Sequence, residues 1–286
     1  FEIFEGEITS FIGNSGGGKT TLLKILQGIK MPDEGSVCYR YADKWVDMLA
    51  YSPERMDVRR TMGIMYQEFA LYSGETILDQ IAYQLGVKGN DVIEYARSVA
   101  EEMGISDKVL DVIYTLTDMS EEDAKAAFEA LGLTRDIFND LFPRFPATEA
   151  QKFAKPVFKL MSLDPEVMWK LPDQLSGGER VRASLAILLA ARPKILILDE
   201  PFGDIDPLTL REVSNAIKKI NAKYNTTIIL VSHHVGFVKE VSHRAILIEK
   251  GAMVADGDPD TVCNAFLASC HAPYLRYMEE ACAVQG

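Results

Sequence analysis

Gly13-Asn14-Ser15-Gly16-Gly17-Gly18-Lys19-Thr20-Thr21 follows the apolar run Glu7 to Ile12 and opens onto Leu22, Leu23, Ile25, Leu26 and Ile29. The first run reads as a short strand; the second recurs at helical spacing. Strand, glycine loop and helix in that order, with Gly13-x4-Gly18-Lys19-Thr20 between them, form the phosphate-binding loop pattern. Its glycines let successive backbone N–H groups turn inward on phosphate oxygens at a helix N-terminus. Lys19 is then expected to reach the β- and γ-phosphates of ATP, and the Thr20 hydroxyl to bind Mg²⁺.

Ile195-Leu196-Ile197-Leu198 ends in Asp199-Glu200. Alone, two acids after a strand are a solvated end. Beside a phosphate loop they are what a metal site at the carboxyl end of a buried strand requires, with Asp199 in the Mg²⁺ shell and Glu200 polarising the attacking water. Leu175-Ser176-Gly177-Gly178-Glu179 begins another helix. It reads either as an ordinary cap with a glycine turn or as a second phosphate site built from a hydroxyl and N–H groups.

Outward from these motifs, Pro32-Asp33-Glu34-Gly35 is a turn, and Val37 to Tyr41, Trp45 to Met48 and Met62 to Tyr66 read as strands of a small, mostly antiparallel sheet. From Thr76 the pattern becomes helical, with Ser120-Glu121-Glu122-Asp123 capping Ala124 to Leu131 and Pro143, Pro146 and Pro156 expected to divide the region into short pieces. After Gly178 helix and strand alternate: helix to Ala191, strand Ile195 to Leu198, helix Leu208 to Lys223, strands Thr227 to Val231 and Ala245 to Glu249. That alternation predicts a parallel sheet.

The composition bounds the partners. With 286 residues, 48% of them hydrophobic, the chain builds a sizeable core. A net charge of −12 argues against nucleic acid. Arg192, Pro193 and Lys194 interrupt the longest apolar stretches, so any membrane role passes through a partner. Cys38, Cys263, Cys270 and Cys282 match neither a disulfide framework nor a zinc template, and a cytoplasmic setting is expected. The chain opens on Phe1-Glu2-Ile3-Phe4, which reads as a start partway into a domain, with an N-terminal strand missing.

Together the phosphate loop, the Asp-Glu strand and the Leu175 to Glu179 signature resemble the ATP-binding cassette (ABC) family. The resemblance implies an α/β P-loop fold with an antiparallel β subdomain and an enlarged helical subdomain. Residues 1–75 and 192–257 would form the core, 76–191 the helical subdomain and 258–286 a C-terminal helical tail. It also implies a second cassette as partner, in the same chain, as a homodimer or as a paralogue. Ser176, Gly177, Gly178 and Glu179 of one cassette would cap ATP held by Lys19 of the other. Gln67 falls where the family has a glutamine that touches Mg²⁺, and Asp204 and Asp206 where a loop crosses the dimer interface, though Gly203 and Asp204 depart from the usual Ser-Ala. His233 matches the histidine that contacts the γ-phosphate, and His234 stands where Asp is common.

Within the family, Tyr39 to Met48, Gly63 to Glu68 and Gly178 to Ala186 resemble the ATP-hydrolysing activation components of the methyl-coenzyme M reductase system. That likeness implies a soluble redox enzyme complex as partner and a role in methanogenesis. The alternatives are the ATPase subunit of a membrane transporter, a non-catalytic ATP sensor and a soluble mechanical ATPase. Intact Lys19, Glu200 and His233 argue against the sensor, and the acidic charge against the last.

Overall fold

The computed structural model describes residues 1–66, 71–201 and 206–269, without the side chain of Glu121. The main sheet holds β1 (Ile8–Ile12), β4 (Met62–Met65), β5 (Ile195–Asp199), β6 (Thr227–Val231), β7 (Arg244–Glu249) and β8 (Ala252–Gly257), in the order β4-β5-β6-β1-β7-β8. The first five are parallel, and β8 returns antiparallel on β7. β1 and β6 are buried throughout. Strands covered on both faces have no reason to alternate, hence their unbroken apolar runs.

A separate hairpin pairs β2 (Cys38–Tyr41) with β3 (Lys44–Asp47), antiparallel. The strand expected at Met62 to Tyr66 does not join it. β4 runs parallel to β5 at the edge of the main sheet, in the register Met62 with Ile195 and Met65 with Leu198. Helix α2 (Glu54–Arg60) leads from β3 into β4, and the helical region between β4 and β5 supplies the crossover that their parallel pairing needs.

Helix α1 (Lys19–Leu26) follows β1. The region after β4 carries α3 (Ile77–Lys88), α4 (Val92–Glu102), α5 (Asp107–Thr115), α6 (Glu121–Ala130), α7 (Arg135–Leu141), α8 (Ala147–Leu160) and α9 (Gly177–Ala190). Helices α3, α8 and α9 share the large core with β5 and β6 through Leu78, Phe158, Leu185, Leu198 and Leu230. Helices α4, α5 and α7 instead close a second core with α2, around Met56, Ala96, Tyr114 and Phe142.

Pro146 caps α8 and Pro143 precedes it, but Pro156 lies inside α8 and does not end it. Pro156 and Lys152 are both on the exposed face, where water can satisfy the carbonyl that loses its donor, while Ala150, Ala154, Val157 and Phe158 anchor the buried face. Helix α10 (Pro207–Tyr224) covers the sheet with α11 (Val235–Val241), and a helix from 259 runs to 269. Among the described residues no helix is long and apolar enough to cross a membrane.

Candidate active site

Three parallel neighbours, β5, β6 and β1, end level with one another, because Val231 pairs with Asp199 on one side and Phe11 on the other. The chain therefore leaves all three strands along one edge of the sheet, where α/β folds of this kind bind ligands.

From β1 it enters the glycine loop. Gly13 has φ +152°, and a Cβ there would lie 2.1 Å from the Ile248 carbonyl oxygen of β7, so this glycine is required by packing. Gly16 has φ +75° with nothing within 4 Å of where its Cβ would stand, so only its backbone conformation asks for glycine. The loop closes on itself through Gly17 N–H to the Asn14 carbonyl, 3.1 Å. It is braced from outside by Gly251 N–H, in the β7–β8 turn, donating to the Gly17 carbonyl at 3.1 Å. Lys19 is buried, and its ammonium donates to the Gly13 and Asn14 carbonyls at 2.8 and 2.9 Å. The first turn of α1 holds no acid, which leaves the positive end of its dipole uncompensated.

At the end of β5, Asp199 is buried, and its Oδ1 has no hydrogen-bond partner. Burial pushes the carboxyl up, a hydrogen bond with the Thr20 hydroxyl pulls it down, and the Glu200 carboxylate adds to the rise. A shielded anionic oxygen left without a donor, beside a hydroxyl, is a donor set that suits a hard divalent cation completed by water and phosphate. The residues present therefore fit Mg²⁺.

Glu200 adopts φ +46°, a left-handed conformation unusual for a side chain of its size, and its N–H donates to the Val231 carbonyl at 3.0 Å. The turn brings Glu200 Oε2 to 2.6 Å from His233 Nδ1. A carboxylate can only accept, so Nδ1 carries the proton of this bond. The Glu200 side chain is 17% exposed and that of His233 54%, so the acid is shielded while the imidazole faces outward. Of the two histidines it is His233 that meets Glu200. His234 lies against it, ring centroids 4.3 Å apart, and donates its backbone N–H to the Ser232 hydroxyl at 3.1 Å.

Ser176 caps α9 with a reciprocal capping box. Its hydroxyl accepts from Glu179 N–H at 3.3 Å, and the Glu179 carboxylate accepts from Ser176 N–H at 2.9 Å and from the Ser176 hydroxyl at 2.8 Å. Those bonds hold the Glu179 carboxyl below its ordinary range. Among the described residues, the hydrogen bonds of the Ser176 and Glu179 side chains run between these two residues and do not reach the glycine loop. Asp206 caps α10, accepting from Leu208 and Thr209 N–H at 3.0 Å each. A Cβ at Gly178 would stand 3.2 Å from Thr209, so the starts of α9 and α10 lie side by side. Gln67, Gly203, Asp204, Cys270 and Cys282 lie outside the described residues.

The sequence singled out neither Gly251 nor Ser232. Gly251 acts through its backbone N–H and Ser232 through its hydroxyl, contacts that no motif advertises, and the glycine of the Lys250-Gly251 turn is the one local signal.

A glycine loop after the central strand, a buried acid after its neighbour's neighbour and a carboxylate–imidazole pair between them define a P-loop nucleoside triphosphatase. Residues 1–203 match the family model described as ABC transporter, and the chain belongs to that family: it is an ABC ATPase cassette. It is 41% identical over 276 residues to an uncharacterized ABC transporter ATP-binding protein of Methanocaldococcus jannaschii, covering 96% of this chain and 48% of that protein. It is 29% identical over 256 residues to a methionine import ATP-binding protein of Bacillus cereus, covering 88% of this chain and 57% of that protein. The chain thus spans about half the length of these curated relatives. In fold it is similar to the dimeric structure of a bacterial ABC transporter cassette, with TM-score 0.58 and 24% identity over 91% of this chain and 88% of that one. The same cassette in a post-hydrolysis state with ADP and Pi gives TM-score 0.59 at 23% identity, over 91% and 88%.

Proposed function

We propose that this cassette binds Mg-ATP at Gly13 to Thr21, hydrolyses it when a second cassette closes over it, and passes the motion to membrane-embedded transport subunits from the cytoplasmic face. The observation that carries the chemistry is the 2.6 Å pairing of Glu200 with His233 on the sheet edge where the glycine loop begins.

Lys19 exchanges its bonds to the Gly13 and Asn14 carbonyls for phosphate oxygens, a stronger, charge-assisted set. Asp199 and Thr20, with Gln67, would hold Mg²⁺, which would supply charge neutralisation during phosphoryl transfer. Glu200 orients a water and takes its proton as the water oxygen bonds to the γ-phosphorus and the bond to the β–γ bridging oxygen breaks, giving ADP and phosphate. His233, fixed by Glu200 through Nδ1, keeps Nε2 for the water or for a protonated γ-phosphate oxygen. The partner cassette's Ser176 to Glu179 segment completes the shell, and the family resemblance assigns Asp204 and Asp206 to the contact between the two cassettes.

Transport is placed first because the family description and the names of both relatives carry it. Reductive activation of methyl-coenzyme M reductase rests on the three sequence phrases alone and stands second. The test is capture of partners by the Glu200→Gln protein with Mg-ATP from native membranes and cytosol in parallel, read by mass spectrometry. Recovery of polytopic membrane subunits supports transport; recovery of soluble reductase and iron–sulfur proteins overturns it.

A further inference from the structure

The helical region and the phosphate-loop helix are joined by a buried polar cluster that the mechanism does not use. At its centre is Asp118, in the turn between α5 and α6 and 2% exposed. Its carboxylate accepts from two buried cations, Lys88 at the end of α3 and Arg59 on α2, the latter at 3.4 Å. Its backbone carbonyl accepts from the Tyr66 hydroxyl at 2.7 Å.

Two of these contacts lead to α1. The Tyr66 hydroxyl also lies 2.7 Å from the Gln27 side-chain amide, and Gln27 is the C-terminal cap of α1. Arg59 also donates to the Gly28 carbonyl at 3.2 Å. One turn further on, Lys24 of α1 pairs with Asp123 of α6 at 2.6 Å. Helix α1 has 8 residues, with Lys19 and Thr20 in its first turn. Two turns of helix, about 12 Å, move as one piece, so a shift at Gln27 reappears at the phosphate loop.

The cluster is a poor choice if cohesion were its only role. Arg59 Nε is buried without a partner. A half-satisfied polar network is worth less than apolar side chains of the same volume, whereas its directional bonds fix position.

We propose that Asp118 and Tyr66 are positioning residues for the nucleotide site, through which the helical region around α5 and α6 holds α1 in the register that sets ATP affinity. This rests on the reading of Gly13 to Thr21 as the ATP site.

The test measures dissociation constants for the fluorescent analogue MANT-ATP, steady-state KM and kcat, and melting temperature in the intact protein and three variants. Tyr66→Phe removes one hydroxyl and is expected to weaken MANT-ATP binding and raise KM about fivefold, the worth of one hydrogen bond, with kcat changed less. Asp123→Asn, at a half-buried position, is expected to act in the same direction by about twofold. Wild-type affinity and KM in Tyr66→Phe, whatever its melting temperature, overturns the proposal and leaves the cluster a structural one; if that variant does not fold, Asp123→Asn decides on the same criterion. Lys19→Ala separates the two readings: retained MANT-ATP binding there overturns the site itself, whereas its loss beside a wild-type Tyr66→Phe overturns this inference alone.

Discussion

Gly13→Ala and Gly16→Ala change the same loop by one methyl each, yet the structure makes their consequences unequal. At Gly16 the methyl enters open space, and the cost is that of a left-handed backbone, about 1 kcal/mol. At Gly13 a positive φ of +152° is joined by a Cβ that would stand 2.1 Å from the Ile248 carbonyl oxygen. Ordinary contact is more than about 1 Å longer, so β7 or the loop must give way. Backbone strain of about 1–2 kcal/mol and overpacking of about 2–3 kcal/mol bring the total to about 4 kcal/mol. For a domain of this size about 2–4 °C of melting temperature follows each kcal/mol, so Gly13→Ala melts about 6–12 °C below Gly16→Ala. Differential scanning calorimetry of both variants without nucleotide checks this. Melting points within 2 °C of one another would refute the assignment of Gly13 to packing against β7.

Glu200→Gln keeps a side chain of the same shape and is expected to retain ATP binding while kcat falls at least about 100-fold; turnover within tenfold of wild type would remove Glu200 from the role of base. Ser176→Ala loses one half of the α9 capping box, about 1 kcal/mol, so a melting point about 2–4 °C lower is expected, together with a loss of ATPase far beyond what that destabilisation explains. ATPase preserved at saturating ATP would reduce Ser176 to a cap. Asp199→Asn is expected to abolish Mg-ATP hydrolysis yet stabilise the nucleotide-free protein at pH 7. Burial raises the Asp199 carboxyl in the folded state, so its contribution to stability is intact below the ordinary carboxyl range, near about pH 4, and is lost as pH rises through the raised value. The variant's advantage in melting temperature should therefore vanish near pH 4 and grow toward pH 7; a wild type more stable than the variant at pH 7 contradicts the account.

How far the chain could be read in advance follows the range of the interactions involved. The β1–loop–α1 unit was legible because strand, glycines and helix are contiguous, and β5 and β6 because burial on both faces leaves an uninterrupted apolar run. The partner of Met62–Met65 was not, because strand pairing is decided by what lies across 133 residues, Met62 to Ile195, rather than beside it. Pro156 misled for a related reason: the local rule forbids it in a helix, and the cost is met by a buried face that only the tertiary structure reveals. At the site, Glu200 and His233 were each named from motif positions, but their contact joins residues 33 apart. The Tyr66–Asp118 bond, across 52 residues, had no signal at all, since an acid in a helical region of mixed charge reads as solvated.

The capping box at Ser176 bears on how a second cassette would engage. In the single chain the Ser176 hydroxyl already gives its hydrogen to an anionic oxygen, Glu179 Oε2, at 2.8 Å. Transferring that hydrogen to a partner's γ-phosphate exchanges one anionic acceptor for another, so the hydroxyl gains little by the exchange. The Glu179 carboxylate, kept ionised by the same contacts, remains bonded to Ser176 N–H and stands near the incoming charge, which opposes closure. The favourable terms at this end must then come from the N–H groups of Gly177 and Gly178 and from the dipole of the 14-residue α9, whose positive end they crown. On the proposed reading, closure would be weak for each ATP and sensitive to the γ-phosphate, as a clamp that must also open once that phosphate has been cleaved requires.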